Sequence, residues 1–442
     1  MTLRSLKSRF RSTAAFVSRK EGSAAIVMAI LVPVLIGGFA FASEVSYWHV
    51  TKRRVQNAAD TAAFAAGTQV RSGLQNSVIE AAAEDVASTS GFNGGAANLT
   101  LEFPPSSAPN PAADGVNPNG RTDYVYVILN ETVNRNFTRF FNHGETTKVV
   151  QAAALAKISN GRPACILAMH PSASGAISTG GSTTVNLNGC DIASNSISPT
   201  AITSTGNGSS VTADCISAVG NVAVNSTYHL TCPSPIANAP LTADPYAYRG
   251  APQMTNCTST NTFGQFPNQG SGSQRCYTGN GGTISTSANT TTLASNVTYV
   301  FENTSSNAAT FTTNGNKSIV GTNVTLYFKG KWNIDFQGNT SLAITAPTTG
   351  PYAGIAIFGD RQNQVNFNNT GNNAGRIVGA IYSPNVASQI TYSGSTTAYS
   401  SGQCTQVIGG KVTFWGNSNF TTNCANSGTT PILSSQTIRI VG

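Results

Sequence analysis

The residue types that could do chemistry in this chain are few and widely spaced. Its 442 residues include 17 acids and 4 histidines. Beyond residue 160 the carboxylates Asp191, Asp214, Asp244, Glu302, Asp335 and Asp360 stand far apart in sequence, whereas glycan-cleaving acid/base chemistry needs two carboxyl groups on one bond. Asp191 and Asp214, 23 residues apart, come near one repeat of a coiled β architecture, but the simpler account of each is a turn aspartate bonding its own backbone. His49, His143, His170 and His229 show neither metal-ligand spacing nor a nucleophile partner. Gly371 to Gly379 contains Arg376 but lacks the lysine and hydroxyl of a phosphate-cradling loop. The expectation is a non-enzymatic protein with no catalytic, cofactor-binding or metal-binding residues and no small-molecule substrate.

Cysteine chemistry is the exception. All eight cysteines lie beyond residue 164, an even number with no CxxC or Cys/His spacing, so disulfides formed in an oxidising compartment are expected rather than zinc. Cys165, Cys190 and Cys215 are spaced by 25, and Cys232 to Cys257 repeats the interval. Cys404 and Cys424 are far from the other six and are expected to pair; the remaining connectivity is open, sequential pairing being one choice among many.

The elements that must position these cysteines are short strands. From Cys165 onward the chain is rich in Ser, Thr, Asn and Gly with brief β-branched runs. Gly181-Ser-Thr-Thr-Val185 is echoed by Gly208-Ser-Ser-Val211, and Asn296-Val297-Thr298-Tyr299 by Asn323-Val324-Thr325-Leu326 at a spacing of 27. A parallel β-helix spends about 20 to 30 residues per coil, and its stacked strands lie within the Cα separation that a disulfide accepts. Residues 161–442 are therefore read as a right-handed parallel β-helix-like solenoid with polar ladders outside, a β-sandwich being the alternative. The aromatics of Gly379-Ala-Ile-Tyr382-Ser-Pro384, Tyr392, Tyr399 and Phe414-Trp415 are either its inner ladder and cap or a platform for glycans or a protein partner.

The amino-terminal region is organised differently. Residues 1–22 carry Arg4, Lys7, Arg9, Arg11, Arg19 and Lys20 against Glu21, five of the eight excess positive charges. The remainder is nearly neutral, which argues against nucleic acid as a partner. Residues 23–43 form an uncharged run, about 32 Å as a helix, against a hydrocarbon core of roughly 30 Å. Pro33 and Gly37-Gly38 are tolerated in such a span, Tyr47 and Trp48 suit an interfacial belt, and the charge bias places the amino terminus inside. A cleaved signal ending at Ala40-Phe41-Ala42 is the competing reading. Val45, Trp48, Val55, Ala59, Ala62, Ala66, Val70 and Leu74 recur at mostly three- and four-residue steps, so residues 44–90 read as an Ala-rich stalk helix. Residues 91–160 read as a small α+β unit: a Pro/Gly-rich loop to residue 120, a strand at Tyr124-Val125-Tyr126-Val127-Ile128-Leu129, and an apolar strand or short helix at 149–158.

The span together with Val55-Gln56-Asn57-Ala58-Ala59-Asp60-Thr61-Ala62-Ala63-Phe64-Ala65-Ala66-Gly67 resembles the amino-terminal region of TadG-like proteins of the Tad (Flp) pilus-assembly system. Val55 and Phe64 stand where that family usually has leucine, and Ser43-Glu44 replaces its small-residue and aspartate pair. Type IV prepilin processing is not expected, because the fifth position after Gly22 is Val27 and not glutamate. Some relatives carry an adhesion domain with an Asp-x-Ser-x-Ser cation site; Asp191-Ile-Ala-Ser194-Asn-Ser196 is one residue too long. The resemblance implies an inner-membrane, single-pass envelope component with a cytoplasmic amino terminus and a periplasmic or extracellular bulk. Its partners would be the inner membrane and other Tad pilus or secretion proteins. The alternatives are a secreted carbohydrate-binding or carbohydrate-active β-helix protein, and a surface adhesin.

Overall fold

The structure is a computed structural model, described here for residues 21–442 apart from 74, 142–143, 188, 226, 254–256, 260–273, 314, 372–373, 400–403 and 425–428. The basic tail at 1–20, His143 and Leu74 lie outside the described residues. The chain divides into two compact units, one taking residues 1–67, 76–157 and 440–442, the other 68–75 and 158–439.

The first unit begins with helix α1, Glu21–Arg71, 51 residues long with Pro33 inside. Its apolar portion has mean hydropathy 2.6 over an 18-residue window and none of that window is buried, so by length and composition it can cross a membrane. Past Glu44 the face changes character. Val55, Ala58, Ala59, Ala62, Ala63 and Ala66 are fully buried, because alanine lets neighbouring backbone come close. Gln56 Nε2 donates to the Ala153 carbonyl at 2.8 Å, and Arg54 pairs with Glu131. The expected single helix to residue 90 is broken: Gly73, at φ +69°, ends the run, as glycine does at helix C-termini, and α2 starts anew at Asn76–Thr89 with Ile79, Ala83 and Ala87 buried at four-residue steps.

The loop expected up to residue 120 contains a short strand, Leu99–Glu102, antiparallel to Tyr124–Asn134. That strand pairs in turn with Thr147–Ile158 from Tyr124↔Lys157 to Asn134↔Thr147. The open choice at 149–158 thus falls to strand. The last residues of the chain complete this unit: Val441 N donates to the Leu155 carbonyl at 2.8 Å and Leu155 N to Gly442 at 2.6 Å. Val441 is buried with Tyr124, Tyr126 and Leu155. Such a return from the far end of the chain carries no local sequence signal.

The second unit is mainly parallel β. The residues that echo each other in sequence are direct neighbours: Val185 pairs with Val211, and Tyr299 with Leu326. A β-sandwich pairs its strands antiparallel, so this pairing is not that of a sandwich. Successive layers contribute one strand to each of three faces. Along the nine-stranded face the order is Val222–Ala223, Ile202–Thr205, Ile177–Gly180, Lys411–Phe414, Gln389–Tyr392, Val365–Asn369, Trp332–Phe336, Ala309–Thr313 and Thr283–Ser285. The order is not that of the chain. The polypeptide enters in mid-stack at Arg162–Ala168, climbs to Ile216–Ala218 at one end, restarts at the other end near Gln274–Thr278, and climbs back until Val407 pairs with Ile166.

Residues inside the stack form aromatic and aliphatic ladders. Phe301 stacks on Phe328 with centroids 4.8 Å apart, and Tyr392 on Phe414 at 5.5 Å. Outside one face a second apolar cluster of Tyr327, Phe358, Tyr382 and Ile408 is covered by Tyr246, itself fully buried. Tyr246 belongs to the segment that carries the chain from one end of the stack towards the other. Arg361 holds it by donating to the carbonyls of Tyr246 and Arg249. One corner is a glycine column: a Cβ on Gly371, Gly394 or Gly416 would lie 2.8–3.0 Å from the next glycine's backbone nitrogen, and each has φ between +73° and +95°. The positive φ favours glycine, and the close approach of the next backbone leaves no room for a Cβ.

All eight cysteines are bonded: Cys165–Cys190, Cys215–Cys232, Cys257–Cys276 and Cys404–Cys424. The Cys404–Cys424 bridge is the one expected. The 25-residue interval between Cys232 and Cys257 does not make a bridge; those two residues fall on opposite sides of the jump between stack ends.

Candidate functional site

Five of the six carboxylates singled out above, all but Asp214, are engaged through their side chains. Asp191 is buried; its Oδ2 accepts from Arg162 Nε at 2.9 Å and Ser434 Oγ at 3.1 Å. Burial pushes its carboxyl pKa up against the lowering effect of Arg162. Asp214 reaches the neighbouring layer, with its N–H bonded to the Cys190 carbonyl at 3.1 Å, so the stack does bring the pair close. The Asp191 half is occupied by Arg162. Asp244 accepts from Tyr382 Oη at 2.6 Å and Tyr246 N at 2.9 Å, and its burial also raises its pKa. Glu302 pairs with Lys329 at 2.7 Å. Asp335 accepts from Asn368 at 2.7 Å, and Asp360 caps the backbone N–H groups of Gly330 and Gln362.

His170 Nδ1 accepts the N–H of Ala173 at 2.9 Å, and burial, with Lys411 nearby, lowers its pKa. His229 is exposed. Among the described residues no three His, Cys, Asp or Glu side chains gather as a metal set. Of the carboxy-terminal aromatics, Tyr392 and Phe414 are interior and Tyr382 is buried in the outer cluster beneath Tyr246, whereas Trp415 is 47 % exposed; nothing is described of the Tyr399 side chain. Arg376 is exposed on the strand Ala374–Ser383, which is extended rather than a phosphate-cradling loop.

Among the described residues, two cavities bear on a site. One, about 230 Å³, sits in the second unit at a corner where Asn296 and Asn323 adopt positive φ, and is lined also by Gln274, Thr298, Thr348 and Tyr352. The other, about 420 Å³, lies in the first unit between α1 and the strand Thr147–Ile158, lined by Trp48, His49, Lys52, Lys148 and Val149. Lys148 Nζ stands 4.0 Å over the Trp48 ring and the Arg135 guanidinium 5.6 Å from it. Next to it Glu44, only 6 % exposed, accepts three backbone N–H groups, from Asn136 at 2.7 Å, Phe137 at 3.0 Å and Thr138 at 2.7 Å. Burial acts to raise the Glu44 pKa, but these donors prevail and hold it below the ordinary value. This cluster was not legible in the sequence, where Glu44 stood out only as a departure from a family pattern.

Comparison of the whole chain with curated proteins and with solved structures gives no match. The amino-terminal segment does match a family: residues 22–76, covering most of α1 and the break after it, fit the Tad family model, described as Flp pilus-assembly TadE/G-like.

Proposed function

We propose that this protein is a non-enzymatic envelope component of a Tad/Flp-type pilus-assembly or secretion system. In this reading residues 23–43 anchor it in the bacterial inner membrane with the amino terminus in the cytoplasm, and the bulk lies in the periplasm or outside the cell. The second unit is read as a right-handed β-solenoid rod of residues 161–442 that meets other pilus or secretion components. The observation that carries the proposal is that the segment fitting the TadE/G-like family, residues 22–76, is largely one helix that carries an exposed apolar length sufficient to cross a membrane. Four disulfides support an oxidising compartment for the second unit. The engaged carboxylates support a structural role for the stack rather than a hydrolytic one.

The experiment is amino-terminal sequencing and carbonate extraction of the protein expressed in a Gram-negative host. An intact start retained in the membrane pellet is expected. A start at Ser43 in the soluble fraction would transfer the protein to the second reading, a secreted glycan binder, which the polar cavity beside Tyr352 favours because amides and an aromatic ring are the groups that hold sugars.

A further inference from the structure

The turn at 137–141 presents its phenylalanines outward. Phe140 and Phe141 are 72 % and 76 % exposed, side by side, with Arg139 stacked on Phe140 at 4.9 Å. An aqueous surface does not ordinarily leave adjacent phenyl rings open. The three bonds to Glu44 fix the turn against α1 at the residue where the uncharged run has just ended. Phe137 then points back along the helix: its Cζ lies 3.7 Å from where a Cβ on Gly37 would be. Seven residues separate Gly37 from Glu44, about 10 Å along the axis at 1.5 Å per residue. The ring is thus level with the last turns of the apolar run, at a depth typical of interfacial segments.

The backbone of the turn suits a hydrocarbon boundary, where each unsatisfied N–H is costly. Besides the three N–H groups bonded to Glu44, Phe140 N donates to Phe137 and Phe141 N to Thr138. Behind the rings stands the collar of Trp48, Lys148, Arg135 and Lys52. The Trp48 indole Nε1 faces no acceptor among the described residues although it is shielded from solvent. Cations at the level of the head groups and apolar rings below them are complementary to an anionic phospholipid; of these cations Arg135 also donates to the Thr147 carbonyl at 2.9 Å and stands 3.8 Å from Glu145.

We propose that the turn at 137–141 dips into the bilayer beside α1 as a second, non-helical membrane contact, and that the collar of Trp48, Lys148 and Arg135 receives the phosphate of an anionic phospholipid. The proposal rests on the reading that residues 23–43 span the membrane. It makes the first unit lie on the bilayer surface instead of standing off it on a free helix.

The test uses the full-length protein in vesicles of phosphatidylcholine and phosphatidylglycerol whose acyl chains carry bromine either near the head group or near the chain end. Phe141→Trp and, separately, Phe140→Trp report on the turn, and Ile30→Trp on the span, each as the fluorescence gained over the unsubstituted chain. The turn variants are expected to lose that gained emission to head-proximal bromine, and Ile30→Trp to chain-end bromine. Quenching of Ile30→Trp with none at either turn variant overturns the inference and leaves the anchor standing; no quenching at any position removes the anchor and the inference together. Trp48 emission is expected to shift to the blue when phosphatidylglycerol is present and to lose the shift in Lys148→Gln/Arg135→Gln. The same shift from inorganic phosphate with phosphatidylcholine alone would overturn the lipid assignment in favour of a free anion.

Discussion

A single carboxylate decides how the phenylalanine turn sits. Glu44 replaces three solvating waters with three backbone donors, and charge-assisted bonds of this kind are stronger than neutral ones. Glu44→Gln keeps the shape but loses the charge and one acceptor, at an expected cost of about 1–3 kcal/mol to the local structure. The check is faster hydrogen exchange at Asn136, Phe137 and Thr138; unchanged protection would refute the assignment. Because the Glu44 pKa is below its ordinary 4.5 in the folded state, its stabilisation is complete above that value and disappears as pH falls through the lowered one. Protection at these three amides should fade in that acid range in the unsubstituted chain and show no such transition in Glu44→Gln. Asp191 runs the other way. Burial raises its folded pKa above the ordinary 3.8, so the stability it allows is complete below 3.8 and falls as pH rises through the raised value. Asp191→Asn removes that titration, and buried ion pairs are often replaceable at little cost. Urea midpoints should therefore move in favour of the variant between acidic and neutral buffer; a gap that moves the opposite way would show that Arg162 more than compensates the burial.

At the scale of elements, the stack depends on what its corners can accept. Gly394 and Gly189 have nearly the same backbone angle, φ +74° and +73°, but a Cβ on Gly394 would lie 2.8 Å from Gly371 N whereas one on Gly189 meets nothing within 4 Å. Both alanine substitutions bear the left-handed backbone cost, roughly 1–2 kcal/mol. Gly394→Ala adds overpacking, about 1–3 kcal/mol more. Denaturant midpoints should rank the two in that order, and equal losses would mean the column gives way easily. The faces show a related division of labour. Inward ladders such as Phe301 on Phe328 supply apolar burial, while outward pairs such as Asn366 with Asn333 at 3.0 Å satisfy one another from layer to layer. A face built in this way needs few charges, which is why so long a domain is nearly neutral.

For the whole molecule, the order of layers matters more than their number. The second unit closes where Val407 meets Ile166, Val412 meets Ile177 and Phe420 meets Val185, all pairings between residues more than two hundred apart in sequence. No disulfide links the part before residue 254 to the part after it. Two chains split between residues 253 and 254 and expressed together are therefore expected to purify as one non-covalent complex, held by these three pairings, by the seating of Tyr246 against Tyr382 and under Arg361, and by the bonds of Ser434 to Asp191 and of Val441 and Gly442 to Leu155. Separation of the halves under non-denaturing conditions would mean that the covalent connection, not the closing layer, holds the stack together.

What the sequence determined by itself is what linear patterns can carry. The uncharged run at 23–43 is, as a helix, long enough to cross a membrane; an even set of cysteines away from the apolar run points to bridges; and the interval of 27 between Asn296 and Asn323 is the length of chain that separates two paired strands. The alanine seam from Val55 to Ala66 is legible as a helical face open to close approach, although it reads as a stalk and the fold buries it. Tertiary structure decided which layer lies beside which, because strands with the same alternation of inward Val, Ile or Phe and outward Thr or Asn accept many partners, and register is set by packing across the sheet rather than by the strand alone. The mid-stack entry at Arg162, the crossing by Tyr246, the return of Val441 to Leu155 and the docking of the phenylalanine turn on Glu44 are all contacts between segments whose local sequences hold no mark of each other. Only burial in the assembled fold selects them.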